Sequence, residues 1–122
     1  MTDGHGAVLV VEDDPDVREA LSIFLESEGH QVVEAANGRE ALERLRGIGR
    51  CCLILLDLFM PEMDGWAFRR EQLADPDLRS IPVLVISADR SAGSKATQLG
   101  AVGCLVKPLD FDDLLGQVSA HC

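Results

Sequence analysis

Basic residues are scarce in this chain: 11 lysines and arginines stand against 21 aspartates and glutamates, a formal charge of −10. Such a field repels phosphate backbones and anionic lipid, which excludes a nucleic-acid or membrane-surface role for the domain acting alone. Long apolar runs are missing too. The longest, Ala7 to Val11 and Cys51 to Leu56, fall far short of the roughly 20 residues that a bilayer-crossing helix needs. The opening Met-Thr-Asp-Gly-His-Gly has neither the basic flank nor the apolar stretch of a secretory leader, so a cytoplasmic setting is expected. No C-x-x-C occurs among Cys51, Cys52, Cys104 and Cys122, and zinc ligation lacks its usual spacing. The expectation is four reduced, mostly buried thiols. His5, His30 and His121 sit near chain ends or turns with no shared partner and read as surface residues. No Gly-x-Gly-x-x-Gly or Walker loop follows the first apolar run, which argues against a nucleotide-binding module. Low-complexity segments, repeats and linkers are likewise absent.

What is present is enough for one domain, taken here as residues 1–122 with a core of about 7–120. The chain has 122 residues, 47% of them hydrophobic and 26% charged, which supports a buried core without a staple. Short runs rich in Val, Leu and Ile (7–11, 31–35, 52–56, 82–86 and 103–106) alternate with longer segments of helical periodicity. Leu21, Phe24 and Leu25 space one helix; Ala41, Leu42 and Leu45 a second; Trp66, Arg69, Arg70 and Leu73 a third; Leu114, Leu115 and Val118 the last. A fourth helix near 91–100 has a thin apolar stripe, weakened by Gly93 and Ser94. Five strands alternating with five helices predict an α/β fold: an open parallel sheet with helices on both faces. The strand runs are apolar throughout and read as buried on both sides.

Several acids have a structural duty at helix starts. Asp14-Pro15-Asp16 reads as N-cap, first-turn proline and dipole-matching acid; Asp64 caps the third helix; Asp110 with Asp113 resembles a capping box. Glu12, Asp13 and Asp57 are left over. The first strand ends in Glu12-Asp13, the third in Asp57, the fourth in Ser87 and the fifth in Lys107. In a parallel sheet all strand C-termini lie along one edge, where doubly wound folds bind ligands. Carboxylates about 4–5 Å apart repel by several kcal/mol per pair at an effective dielectric near 20. A divalent cation relieves that repulsion, and all-oxygen ligation suits Mg²⁺ or Mn²⁺. Lys107 offers positive charge and Ser87 a hydrogen bond to phosphoryl oxygens, and one carboxylate can act as nucleophile, giving an aspartyl phosphate.

Four motifs then make a specific resemblance. Val-Leu-Val-Val-Glu12-Asp13-Asp14, Leu-Leu-Asp57-Leu-Phe-Met60-Pro61-Glu-Met-Asp64-Gly65, Ile-Ser87-Ala88 and Lys107-Pro108 together resemble the receiver domain of two-component response regulators, over roughly residues 7–120. The resemblance implies a flavodoxin-like doubly wound sheet of order 2-1-3-4-5. It implies Asp57 as phosphoacceptor, taking the group from a histidine kinase or a histidine phosphotransfer protein. By the same resemblance Asp13, Asp57 and the backbone carbonyl of Phe59 would ligate Mg²⁺, with Glu12 acting through water. Lys107 would pair with Asp57 and then with the phosphoryl group. Ser87 would swing toward that group and alter the surface of the fourth helix and fifth strand, where a downstream protein or a second copy of the chain would bind. Lys107-Pro108 would be cis. Such a domain is not an enzyme in the ordinary sense, since it catalyses only its own phosphorylation and dephosphorylation. Phe59 and Asp89, each two residues past a site residue, would flank the path of the hydrolytic water.

Three positions depart from the family pattern. Glu12 stands for the usual Asp, Ser87 for the commoner Thr, and Cys104 for an aromatic switch residue. The competing readings are an Mg²⁺-dependent aspartyl-phosphate phosphatase and a pseudo-receiver that only binds. The phosphatase needs a second Asp two residues beyond the nucleophile, a position held here by Phe59. About one helix follows Lys107, so the expected form is a stand-alone receiver or a piece of a longer polypeptide.

Overall fold

The structure is a computed structural model that describes residues 6–58 and 63–122. Strands and helices alternate: β1 (Ala7–Val11), α1 (Pro15–Ser27), β2 (Gln31–Ala35), α2 (Gly38–Gly47), β3 (Cys51–Asp57), α3 (Gly65–Ala74), β4 (Val83–Ser87), α4 (Ala92–Leu99), β5 (Gly103–Val106) and α5 (Phe111–His121). All strand pairs are parallel, in the order β2-β1-β3-β4-β5. Both the class and the strand order match the expectation. None of the described helices is long and apolar enough to cross a membrane.

Alternate residues of the three central strands feed two separate cores, which is why these runs are apolar at every position. Leu9, Val11, Ile54, Leu56 and Val85 face α2, α3 and α4, meeting Leu42, Leu45, Phe68 and Ala96. Val8, Val10, Leu53, Leu55 and Ile86 face α1 and α5, meeting Leu21, Leu25, Leu114 and Val118. Each fully buried leucine or isoleucine contributes roughly 1.5–3 kcal/mol of transfer free energy. The helix starts follow the sequence closely. Asp14 accepts the N–H groups of Asp16 and Val17, Asp64 that of Ala67, and Asp110 those of Asp112 and Asp113.

Three expectations fail. Strands β2 and β5 are edge strands, the first with Val32 and Val33 only partly buried and Gln31 and Glu34 exposed, the second with Gly103, Cys104 and Leu105 partly buried and Val106 exposed, so neither is covered on both faces. Helix α3 turns Phe68, Arg69 and Gln72 inward and leaves Leu73 46% exposed. Arg69 lies on the stripe that the spacing named, but Arg70 is exposed and Gln72 takes the inward place expected of Leu73. Finally, the thiols are not all reduced: Cys52 and Cys122 form a disulfide, while Cys51 and Cys104 are free and partly buried. Docking of α5 on the sheet sets the Cα atoms of Cys52 and Cys122 5.4 Å apart, an ordinary disulfide spacing that 70 residues of sequence separation conceal.

Candidate functional site

The register of the sheet decides what meets at its C-terminal edge. Val11 lies opposite Leu56, Asp57 opposite Ile86 and Ser87 opposite Val106. Residues just past these pairs therefore share one rim. Glu12 is fully buried there. Its N–H donates to the Ala35 carbonyl (3.1 Å), and its own carbonyl accepts from Arg18 Nη1 (2.8 Å). Its Oε2 accepts the Asp14 N–H at 3.1 Å, and its Oε1 forms an ion pair with Lys107 Nζ at 2.6 Å. Asp57 is 5% exposed, and its Oδ2 lies 3.5 Å from the same ammonium. Asp13 is exposed. One carboxylate oxygen from each of Glu12, Asp13 and Asp57 lies within 4.8 Å of the others.

The floor of the site requires a glycine. Gly65 opens α3 and donates its N–H to the Leu58 carbonyl at 3.1 Å. A Cβ there would come 2.8 Å from Leu58 Cα and 3.0 Å from the Asp57 carbonyl oxygen. Any larger residue pushes α3 off the end of β3. On the other side Lys107 donates its N–H to the Ser87 carbonyl at 2.8 Å, and the Lys107–Pro108 peptide is cis, as the resemblance implied.

Charge is unbalanced in this pocket. Two unit charges 4.8 Å apart repel by about 3 kcal/mol at an effective dielectric of 20. Three carboxylates meet there, and the Lys107 ammonium pairs with two of them, Glu12 and Asp57. Burial works against the charged form of Lys107. The hydrogen bond to Glu12, with the charges of Asp57 and Glu12, outweighs it and holds the ammonium above its ordinary value. The all-oxygen donor set and surplus negative charge fit a small hard dication such as Mg²⁺ or Mn²⁺.

The sequence reading thus placed Glu12, Asp13, Asp57 and Lys107 together, and the structure brings them together. Ser87 is fully buried at the end of β4, where its Oγ accepts the Asp89 N–H at 3.1 Å. Phe59, named for its carbonyl, lies outside the described residues, as does the Met60-Pro61 pair. Asp89 is committed to α4: Oδ1 accepts the Ser91 N–H (2.9 Å) and the Ser91 hydroxyl (2.8 Å), and Oδ2 meets Lys95 Nζ. These contacts, the Lys95 hydrogen bond first, hold its carboxyl down at about 2. Sequence reasoning missed Arg18, whose bond to the Glu12 carbonyl steadies the end of β1. It also missed the apolar groove of about 310 Å³ beside Lys107, lined by Val17, Ala20, Leu21, Pro108, Leu109 and Phe111 among others. The i, i+3, i+4 spacing of Val17, Ala20 and Leu21 on the N-terminal half of α1 was the available signal for that groove.

Comparison with known proteins agrees with this geometry. The model of the response regulator receiver domain family matches residues 8–119. Protein PilH of Pseudomonas aeruginosa is 30% identical over 115 residues, covering 93% of this chain and 94% of that protein. Response regulator Rre1 of Synechocystis is 35% identical over 111 residues, and this chain spans only 48% of its length. It spans 52% of CrdR, a transcriptional regulatory protein of Helicobacter pylori that is 39% identical over 114 residues. Among solved structures, a response regulator receiver protein from Pseudomonas putida superposes with a TM-score of 0.87 at 32% identity, covering 98% of this chain and 99% of that one. The chemotaxis response regulator CheY4 of Vibrio cholerae gives 0.85 at 29% identity, covering 96% and 98%.

Proposed function

Since the chain belongs to the response regulator receiver family, we propose that it accepts a phosphoryl group on Asp57 from a phosphohistidine of a histidine kinase or a phosphotransfer protein. One observation carries this reading. Asp57 is a buried carboxylate whose Oδ2 faces the Lys107 ammonium at 3.5 Å, with two further acids within 4.8 Å. In the reaction a carboxylate oxygen of Asp57 attacks phosphorus in line. The P–N bond to the donor imidazole breaks, and its electron pair returns to the ring nitrogen. Lys107 follows the charge onto the phosphoryl oxygens, and the Ser87 hydroxyl donates to one of them. Asp13, Asp57 and the Phe59 carbonyl would hold Mg²⁺ or Mn²⁺, with Glu12 acting through water. The bound cation supplies positive charge for the gathering phosphoryl oxygens. The apolar groove beside Lys107 offers the donor protein a surface against α1 and the start of α5.

The chain acts on itself alone in this reading, as both phosphoacceptor and hydrolase of its own aspartyl phosphate, in the cytoplasm. The altered surface around α4 and β5 then binds a downstream protein or a second copy of the chain, and nucleic acid is not contacted directly. The test is incubation with Mg²⁺ and acetyl phosphate followed by intact mass. A gain of one phosphoryl group, absent in Asp57→Asn, is expected. Steady phosphate release from phosphomonoesters would instead make the protein a phosphatase. No mass gain from acetyl phosphate or from any phosphohistidine donor would leave a binding module.

A further inference from the structure

Strand β3 opens with an irregularity. Ala7 pairs with Cys51 and Val8 with Leu53, so Cys52 is one residue too many for β1, a β-bulge. The bulge changes where the sulfur points. In a regular strand neighbours alternate faces, and Cys52 would share the face of Ile54, toward α2, α3 and α4. Instead Cys52 packs with Leu53 in the core beneath α1 and α5, while Cys51 packs against the other core. One extra residue thus turns Cys52 toward α5, where it is bonded to Cys122.

Helix α5 needs that bond at one end only. At its start the Phe111 ring lies on Phe24, with centroids 4.6 Å apart. In its middle Leu114 and Val118 are fully buried. Beyond Val118 the side chains of Ser119, Ala120 and His121 are exposed, and the next half-buried residue is Cys122. Gly116 weakens the helix further, with nothing within 4 Å that would require a glycine there. A helix end with no buried side chain frays unless something ties it. The bridge is that tie.

The bridge is also isolated from the free thiols. Cys51 and Cys104 both pack against the opposite core, and burial raises each above its ordinary value, leaving little thiolate to attack a disulfide. Cys52 and Cys122 are each half-buried and keep some surface in water, within reach of a thiol from solution. Cys52 Sγ lies 3.5 Å from the Ala7 carbonyl oxygen and 3.8 Å from that of Gly6. Those oxygens suit an S–H and disfavour a thiolate. Bridges in thiol-containing compartments are typically transient or redox-sensing.

We propose that Cys52 and Cys122 form a reversible redox site, opened by a dithiol and closed by a low-molecular-mass disulfide, which sets whether the last turn of α5 is docked. In opening, a thiolate of the dithiol attacks Cys122 Sγ, which follows the exposed turn. The S–S bond breaks, and Cys52 leaves with the electron pair, takes a proton from water and donates its S–H to the Ala7 carbonyl. The second thiolate of the dithiol then attacks the mixed disulfide and releases Cys122, which is protonated in turn. Two electrons and two protons pass to the pair, and the dithiol leaves as its own disulfide. In closing, Cys122 attacks the small disulfide and Cys52 displaces the thiol bound to it. Cys52 stands about 17 Å along β3 from Asp57, so the site works whether or not Asp57 takes a phosphoryl group.

Thiol counting with N-ethylmaleimide and intact mass, with amide hydrogen exchange on the same samples, tests this on the folded chain. Dithiothreitol in native buffer should add two alkylated sites, mapped to Cys52 and Cys122, and glutathione disulfide should remove them again. Opening should speed exchange at residues 119–122 at least fivefold and leave 54–56 unchanged. Cys122→Ser should show that fast exchange without any reductant. Cys52→Ser should take up glutathione on Cys122 at least tenfold faster than Cys122→Ser does on Cys52; equal uptake overturns Cys122 as the attacked sulfur. A pair that dithiothreitol opens only in urea is a sealed staple and overturns the proposal, as does a reduced chain that glutathione disulfide fails to close. Equal exchange at 119–122 in the open and closed forms overturns the control of the last turn.

Discussion

Glu12 carries one methylene more than aspartate, and the structure shows where that length goes: to Lys107, at 2.6 Å. The ammonium lies closer to Glu12 than to Asp57, at 3.5 Å, so in the resting chain Glu12 is its main counterion. Removing one member of a buried pair leaves the other uncompensated. Lys107→Met should therefore destabilise the fold by roughly 3 kcal/mol, measured by urea unfolding at pH 7. The Lys107 pKa is raised above 10.5 in the fold, so its contribution is whole below 10.5 and fades as pH rises through the folded value. The gap between wild type and Lys107→Met should stay level from neutral pH to 10.5 and shrink above it. Burial pushes the Cys51 thiol up to about 11, which leaves almost no thiolate at pH 8. Alkylation of Cys51 by iodoacetamide should be slow at pH 8 and quicken only toward pH 11; fast labelling at pH 8 would place the thiol in water. The acids and Lys107 were legible because strand ends in a parallel sheet share an edge whatever the rotamers. Arg18 was not, nor was the tie of Asp89 to Ser91 and Lys95, because each acts through a hydrogen bond that depends on where a side chain turns.

Among the elements, α3 and α4 show how far periodicity reaches. The existence and order of every element could be read from alternating apolar runs. The inward face of α3 could be read only at Arg69, since the buried Gln72 serves the carbonyls of Leu78 and Ile81, and Arg69 those of Leu99 and Gly100, whatever the apolar spacing. The two helices make opposite demands on glycine. At Gly65 a Cβ meets Leu58 Cα at 2.8 Å, whereas at Gly93 it meets nothing within 4 Å. Gly65→Ala should cost about 1–3 kcal/mol through overpacking. Gly93→Ala should stabilise by about 0.5–1 kcal/mol through helix propensity. Thermal unfolding of the two variants in parallel gives the signs; equal shifts would deny the close approach at Gly65. The tie at the front of α4 has its own pH window. The Asp89 carboxyl falls from 3.8 to about 2 in the fold, so its support is present above 3.8 and lost as pH falls through about 2. The Ser91 amide resonance should hold from neutral pH to about 4 and move only below it.

For the whole molecule, the disulfide and the charge set the conditions of stability. Cys52 and Cys122 tie the start of β3 to the end of α5 across 70 residues. Loop-closure entropy for that span gives about 4 kcal/mol. Melting with and without dithiothreitol should differ by several degrees, and Cys122→Ser should melt with the reduced chain. No composition rule exposes such a bridge, because the pairing exists only after α5 docks. Millimolar Mg²⁺ should raise the melting temperature over EDTA by native-state linkage, and Asp13→Asn should abolish the rise. Identical melts in both media would mean that the three acids hold no cation. Of those acids, Glu12 and Asp57 are sealed and Asp13 alone faces water. Among the described residues the cluster is thus open to water on the Asp13 side, and an ion bound there would come and go without any helix lifting. Arrival is then a matter of collision, hastened by a net charge of −10 that crowds cations of every valence around the opening. Sodium and potassium would queue at the same door, so the residence of a dication there would reflect the whole salt mixture of the surroundings.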